Sequence, residues 1–145
     1  MDDIIKDFLI ESAENLDRLD QDLVNLEADP ASEELLASIF RTIHTIKGSC
    51  GFLGFKHLER VTYAGENLLS SLRDGRLELT KVVAGGLLGM AGAIREMLEE
   101  IRATGGDGVN EYAELVRRLK QLQAAETTGA DSREEQKEAV RRGTE

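Results

Sequence analysis

His44 is the side chain in this 145-residue sequence whose setting points most clearly to chemistry. If the surrounding stretch is an α-helix, which turns about 100° per residue, His44 lies roughly 130° away from the apolar side. Two glycines, Gly48 and Gly51, follow it one and two turns later. Because a glycine inside a helix costs about 1 kcal/mol relative to alanine, the pair predicts that another molecule must approach this imidazole.

An imidazole can move protons, bind a metal or act as a nucleophile. The chain has only two histidines, His44 and His57, and neither belongs to a metal-ligand spacing. Proton transfer would need a substrate pocket, which a packed helical domain does not obviously offer. An exposed nucleophile needs only a partner protein that brings the electrophile, and phosphoryl transfer fits this best. We therefore expect no complete active site in this chain and no bound metal or cofactor.

Two further side chains are predicted to assist His44. Lys47, at i+3 on the same helix, can neutralise incoming phosphoryl oxygens. A histidine that attacks through one nitrogen keeps a proton on the other, and that proton needs an acceptor. Glu66 on the next helix is the expected acceptor, with Tyr63 one turn earlier on the same side. Taken alone, Glu66 would be an ordinary surface carboxylate, and its position opposite His44 favours the functional role.

The charge distribution sets limits on the partners. Residues 1–29 hold ten acidic side chains against two basic ones, whereas residues 41–60 hold four basic ones against a single acidic one. A locally basic surface around His44 suits an anionic ligand or an acidic partner, although an ordinary mixed-charge surface is the simpler alternative. The net charge of −10 argues against nucleic acid. The expected partner contacts are the exposed neighbours of His44: Arg41, Ser49 and Phe52.

Apolar residues recur every three or four positions along most of the chain, which predicts an all-α fold. We predict an antiparallel up-down four-helix bundle with an additional fifth C-terminal helix. The first helix is expected at residues 2–27, and the second from the N-cap Ser32 to between residues 51 and 54. The third should run from residue 56 until Asp74-Gly75 ends it. The fourth should begin after the N-cap Thr80 and end at the break at 104–108, and the fifth should run from about 112 to 125. Residues 1–124 form the predicted domain, and residues 125–145 are expected to be a flexible linker or tail.

The predicted compartment is the cytoplasm. No apolar run is long enough to cross a bilayer, and no signal-peptide pattern opens the chain. The single cysteine, Cys50, falls on the apolar side of its helix, so we expect a buried small hydrophobic side chain rather than a reactive thiol. We also expect the isolated domain to be a monomer without membrane insertion.

The motif around the histidine resembles the phosphorylation site of histidine-containing phosphotransfer (HPt) domains. The stretch Phe40-Arg-Thr-Ile-His-Thr-Ile-Lys-Gly-Ser-Cys-Gly-Phe-Leu-Gly-Phe is similar to the N-terminal domain of CheA-type chemotaxis kinases. So is the later stretch Leu58-Glu-x-x-Thr-Tyr-x-x-Glu-Asn-Leu-Leu, followed by Arg73-Asp-Gly. The resemblance covers roughly residues 4–123.

The resemblance implies specific roles. His44 would be phosphorylated at Nε2 by the kinase's separate ATP-binding domain, which supplies ATP and Mg²⁺. The phosphoryl group would then pass to an aspartate of a response regulator of the CheY or CheB kind. Lys47 corresponds to the family's phosphate-assisting lysine and Glu66 to its histidine-orienting glutamate. Tyr63 stands where members often carry a second histidine, which implies altered tuning.

Three alternatives remain open from the sequence. The nearest is a stand-alone HPt protein of a multistep phosphorelay. Another is an interaction module that holds a response regulator without being phosphorylated, although the intact His-x-x-Lys-Gly disfavours it. The third is a purely structural bundle, which would not explain why the costly glycines Gly48 and Gly51 lie within a helix.

Overall fold

The computed structural model describes residues 2–125, which fold into five helices. They are α1 (Asp3–Ala28), α2 (Glu33–Leu53), α3 (Lys56–Arg73), α4 (Lys81–Thr104) and α5 (residues 113–125). In the bundle α2 packs against α1 and α3, and α4 packs against the same two helices. The predicted all-α bundle with a fifth helix is confirmed. Residue 125, the first of the predicted linker, is the last residue of α5. The rest of the predicted linker, residues 126–145, lies outside the described residues.

Short polar side chains fix the helix boundaries. The predicted N-caps are confirmed, because Ser32 Oγ accepts a hydrogen bond from the Leu35 N–H at 3.2 Å and Thr80 Oγ1 accepts one from the Val83 N–H at 3.2 Å. Gly54, with φ of 80°, ends α2 in the left-handed conformation that glycine adopts without strain. The tight turn after Gly54 leads at once into α3, so these two helices lie side by side.

The apolar residues that recur every three or four positions along the helices form one core, with one exception at its end. The deepest side chains come from all four bundle helices, and α5 adds Val116 and Leu119. Ile4, an apolar residue beside the core-facing side of α1, is 54% exposed. It lies in the first turn of α1, and the core at that end is already closed by the Phe8 ring, which packs against Phe55 at 5.7 Å between centroids.

Glycines in α4 allow α5 to pack closely. A Cβ atom at Gly86 would lie 2.8 Å from Cδ1 of Leu122, and one at Gly89 would lie 3.3 Å from Cδ1 of Leu115. Close helix packing therefore explains this pair of glycines. Gly92 differs, because a Cβ atom there would meet no atom within 4 Å.

The N-terminus of α3 is capped from a distant part of the chain. Its N-cap residue, Phe55, makes no side-chain cap hydrogen bond. Instead Asp107 Oδ2 accepts hydrogen bonds from the His57 N–H at 2.9 Å and the Leu58 N–H at 3.1 Å. His57 Nδ1 also lies 3.1 Å from the Gly108 carbonyl oxygen, so the His57 side chain belongs to the same cap region. A carboxylate at a helix N-terminus also complements the helix dipole, and here it ties α3 to the loop after α4.

Cys50 is fully buried in α2, as predicted. Burial, followed by the negative charges of Glu59 and Asp107, raises the pKa of its thiol to about 12. The thiolate is therefore scarce near neutral pH, and this cysteine acts as core packing.

Candidate functional site

His44 projects from the middle of α2 with 61% of its side chain exposed. Its Nδ1 atom lies 3.2 Å from Oε1 of Glu66 on α3. An ionised carboxylate can only accept a hydrogen bond, so this contact favours the tautomer that carries its proton on Nδ1. The Nε2 atom is then left with the lone pair that a nucleophile needs.

The same carboxylate also holds Lys47. Nζ of Lys47 lies 2.9 Å from Oε2 of Glu66, and the Glu66 side chain is only 15% exposed. Oε2 is buried and makes no hydrogen bond within the described residues, so the ammonium group is what compensates its charge. A shielded carboxylate without a cation would be costly. Glu66 therefore bridges the imidazole and the ammonium group.

Tyr63 contributes through Lys47. The Lys47 ammonium group lies 5.4 Å from the centre of the Tyr63 ring, a distance at which the cation is attracted to the ring face. Tyr63 itself is 54% exposed. Its ring therefore borders the lysine side of the site and helps to fix where the ammonium group rests.

Close packing between helices fixes the position of Glu66. Its neighbour in sequence, Gly65, faces α4, where a Cβ atom would lie 2.1 Å from the Sδ atom of Met90. This glycine lets α3 approach α4 closely, and Met90 is fully buried. Since α3 is also capped by Asp107 at its start, the turn that carries Glu66 has little freedom to move.

The two glycines after His44 are not equivalent. Gly48 is exposed, and a Cβ atom there would have no atom within 4 Å, so the surface beside the imidazole is open. A Cβ atom at Gly51 would lie 2.9 Å from Oε2 of Glu59 on α3. That atom is the end of a flexible, exposed side chain, so a Cβ atom at Gly51 would displace the Glu59 carboxylate rather than the α3 backbone.

The predicted partner contacts lie on two sides of His44. Phe52 is 82% exposed and, with the half-buried Ser49, lines a groove between α1 and α2 that also includes Gly48. The groove's α1 side carries the acidic residues Asp7 and Glu11. Arg41 is exposed one turn before His44 and does not line this groove.

Two residues without a predicted role adjoin the site. The Phe40 ring is stacked on the His44 ring, with 5.9 Å between centroids and 11° between planes. The Arg73 guanidinium carbon lies 4.2 Å from the centre of the Phe40 ring. The available signal was the spacing of Phe40, which is four residues before His44 on the same helix.

A known protein family accounts for most of this chain. The model of the family described as "Hpt domain" matches residues 3–104. This chain belongs to the Hpt domain family. The predicted resemblance is thereby confirmed for the part of the chain that contains His44, Lys47 and Glu66.

Curated relatives of this Hpt domain include a sensor histidine kinase and several chemotaxis proteins named CheA. It is 38% identical to the sensor histidine kinase CheAY of Helicobacter pylori over 136 residues, which is 93% of this chain and 17% of that protein. It is 39% identical to the chemotaxis protein CheA of Halobacterium salinarum over 105 residues, which is 72% of this chain and 16% of that protein. The chain thus spans about a sixth of the length of these relatives.

Solved structures agree on the fold. The phosphorylated P1 domain of CheA3 from R. sphaeroides, solved in complex with CheY6, has a TM-score of 0.79 and 26% identity, covering 86% of this chain and 98% of that one. The histidine phosphotransfer domain of CheA, solved in solution, has a TM-score of 0.74 and 28% identity, covering 83% and 91%. The Hpt domain described here therefore shares its helical arrangement with CheA phosphotransfer domains.

Proposed function

We propose that this Hpt domain carries a phosphoryl group on Nε2 of His44 within a chemotaxis-type histidine kinase. It receives the group from the kinase's ATP-binding domain and passes it to an aspartate of a response regulator of the CheY or CheB kind. The observation that carries the proposal is the arrangement of an exposed imidazole with its Nδ1 on Glu66, because this leaves Nε2 both basic and accessible.

The first transfer follows from this geometry. The Nε2 lone pair attacks the γ-phosphorus of ATP, the bond to the bridging oxygen breaks, and ADP leaves with the electron pair. The imidazole ring becomes positively charged as the N–P bond forms. The Nδ1 atom keeps its proton and lies 3.2 Å from Oε1 of Glu66, so the negative charge of the carboxylate stabilises that developing positive charge. In the second transfer, an aspartate oxygen of the response regulator attacks the phosphorus, and the electron pair of the N–P bond returns to Nε2.

Lys47 supplies the counter-charge for the phosphoryl oxygens. It lies one turn from His44, is 23% exposed and rests on Glu66 when no phosphoryl group is bound. A lysine side chain is a flexible point charge, so it can turn from the carboxylate towards an arriving anion. Tyr63 and Glu66 define its resting position, and Gly48 leaves the partner room to enter.

The proposal includes a larger parent protein, a kinase of which this domain is one part. The similarity to CheA proteins supports a parent kinase over a stand-alone phosphorelay protein. ATP and Mg²⁺ then bind to the separate kinase domain, and the reaction takes place in the cytoplasm, where ATP is available. No helix within residues 2–125 is long and apolar enough to span a membrane. The solved complex of a phosphorylated P1 domain with CheY6 supports a receiver domain as the second partner.

The test is a two-step transfer assay. The domain is mixed with a CheA-type kinase core and ATP labelled at the γ-phosphate, re-isolated, and then mixed with a CheY-type receiver domain. The expected result is a label on the Hpt domain that is acid-labile and base-stable and that moves to the receiver. A domain that takes no label, or that keeps it in the presence of the receiver, contradicts the proposal.

Replacing Gly48 with alanine should raise stability and slow transfer at the same time. The new methyl group meets no atom of the domain, so the helix should gain about 0.5–1 kcal/mol of unfolding free energy. Because the methyl group intrudes on the docking surface, transfer should fall by roughly 10-fold. Gly92→Ala is the matched control, since its Cβ also meets no atom within 4 Å but lies on α4. Urea unfolding and the transfer assay check both variants, and equal transfer rates in the two would refute the access role of Gly48.

A further inference from the structure

Glu66 alone leaves the His44 ring incompletely fixed. The 3.2 Å contact between Nδ1 and Oε1 of Glu66 fixes one atom of the imidazole, but the ring can still tilt about that contact. The direction of Nε2 changes with that tilt. For an in-line attack, the reacting atoms must meet in a narrow range of distances and angles. A second restraint on the plane of the ring would therefore have a direct effect on transfer.

The Phe40 ring provides such a restraint. It lies nearly parallel to the imidazole, with 11° between the planes and 5.9 Å between the centroids. Phe40 is itself half-buried and packed against the hydrophobic core, so its ring is anchored from beneath. The carboxylate contact at the edge of the ring and a fixed aromatic face together determine both the position and the plane of the His44 ring.

Arg73 in turn restrains Phe40. Its guanidinium carbon lies 4.2 Å from the centre of the Phe40 ring, which is within the range of a cation–π contact. The neighbouring Asp74 carboxylate, 3.4 Å from Nε of Arg73, helps to hold the guanidinium group in place. Arg73 belongs to α3 and Phe40 to α2, so this contact joins the same two helices as the contact between His44 and Glu66.

We propose that Phe40, held by Arg73, is a positioning residue that fixes the plane of the His44 imidazole and so aims Nε2 at the incoming phosphorus. The proposal rests on the proposed function of His44. It concerns the orientation of the nucleophile rather than its identity, and neither Phe40 nor Arg73 touches the reacting atoms. Substitution should therefore change the rate of the chemical step more than the binding of the partner.

The test compares Phe40→Leu with Phe40→Tyr in the labelling assay. Leucine keeps an apolar side chain against the core but removes the flat face, whereas tyrosine keeps the face. We expect kcat to fall about three- to tenfold in Phe40→Leu, with KM for the domain within about twofold, and recovery of kcat in Phe40→Tyr. Arg73→Lys, which keeps the charge but loses the planar group, should lower kcat by a smaller factor of about two to three.

A second measurement is independent of the kinase. Three-bond couplings that report χ1 and χ2 of His44, measured by NMR on the free domain, should indicate one orientation of the ring in the wild type and averaging in Phe40→Leu. Leu115→Ala on α5 is the stability control, because it removes a half-buried contact away from His44 and should leave both kcat and the couplings unchanged. Unaltered kcat and couplings in Phe40→Leu would overturn the inference, whereas failure of the wild type to be labelled at His44 would overturn the proposed function instead.

Discussion

Replacing His44 with glutamine should abolish phosphorylation of the domain. The glutamine amide can occupy much of the same space and still donate a hydrogen bond to Glu66. However, its nitrogen has no free lone pair and cannot form the N–P bond. Because the His44 side chain is 61% exposed, its replacement should change the unfolding free energy by no more than about 0.5 kcal/mol. The measurement is incorporation of label from γ-labelled ATP in the presence of a CheA-type kinase core, together with a urea unfolding curve.

The second histidine provides the matched control for this variant. His57 lies at the start of α3, where its Nδ1 is 3.1 Å from the Gly108 carbonyl oxygen, outside the contacts that surround His44. His57→Gln should therefore be labelled at the wild-type rate and to the wild-type extent. Label that persists in His44→Gln, or that disappears in His57→Gln, would assign the phosphoryl group to a different residue.

The fold could be predicted from the sequence because its determinants are local and periodic. The apolar spacing identified the core-facing side of each bundle helix, and Ser32 and Thr80 are caps that lie three residues from the groups they bind. The cap on α3 could not be predicted in this way. Asp107 is 50 residues from His57, and only the folded arrangement brings its carboxylate to the helix start. A propensity rule that considers neighbours in sequence has no means of pairing such residues.

The site was predictable to the extent that each residue's role follows from the chemistry of His44. A nucleophilic imidazole needs an acceptor for its second proton, and Glu66 was the carboxylate at the correct edge of the next helix. No such requirement identified Phe40, because an aromatic residue beside an apolar stripe is typical of the core. The contact with Arg73 depends on the relative rotation and height of α2 and α3, which the spacing along one helix does not determine.

Replacing Glu66 with glutamine should slow phosphorylation of His44 by about 10- to 100-fold, the size of the loss when the hydrogen-bond partner of a metal-ligating histidine is removed. The neutral amide cannot balance the positive charge that develops on the ring. It can also present its NH₂ group to Nδ1, which favours the tautomer with the proton on Nε2, where attack must occur. The measurement is the initial rate of labelling, with circular dichroism to show that the helical content is unchanged. A wild-type rate of labelling would show that Glu66 does not assist the phosphorylation of His44.

Lys47 makes it possible to separate the two functions of this carboxylate. In the wild type, Lys47 rests 2.9 Å from Oε2 of Glu66, so a loss of rate in Glu66→Gln includes any effect of releasing the lysine. If the lysine acts directly on the phosphoryl oxygens, Lys47→Met should lower the rate both in the wild type and in the Glu66→Gln variant, and the two effects should nearly multiply. If it acts only by holding the carboxylate, Lys47→Met should have no further effect once Glu66 has been replaced. The double-mutant cycle therefore distinguishes a lysine that meets the phosphoryl group from one that only positions the residue that orients His44.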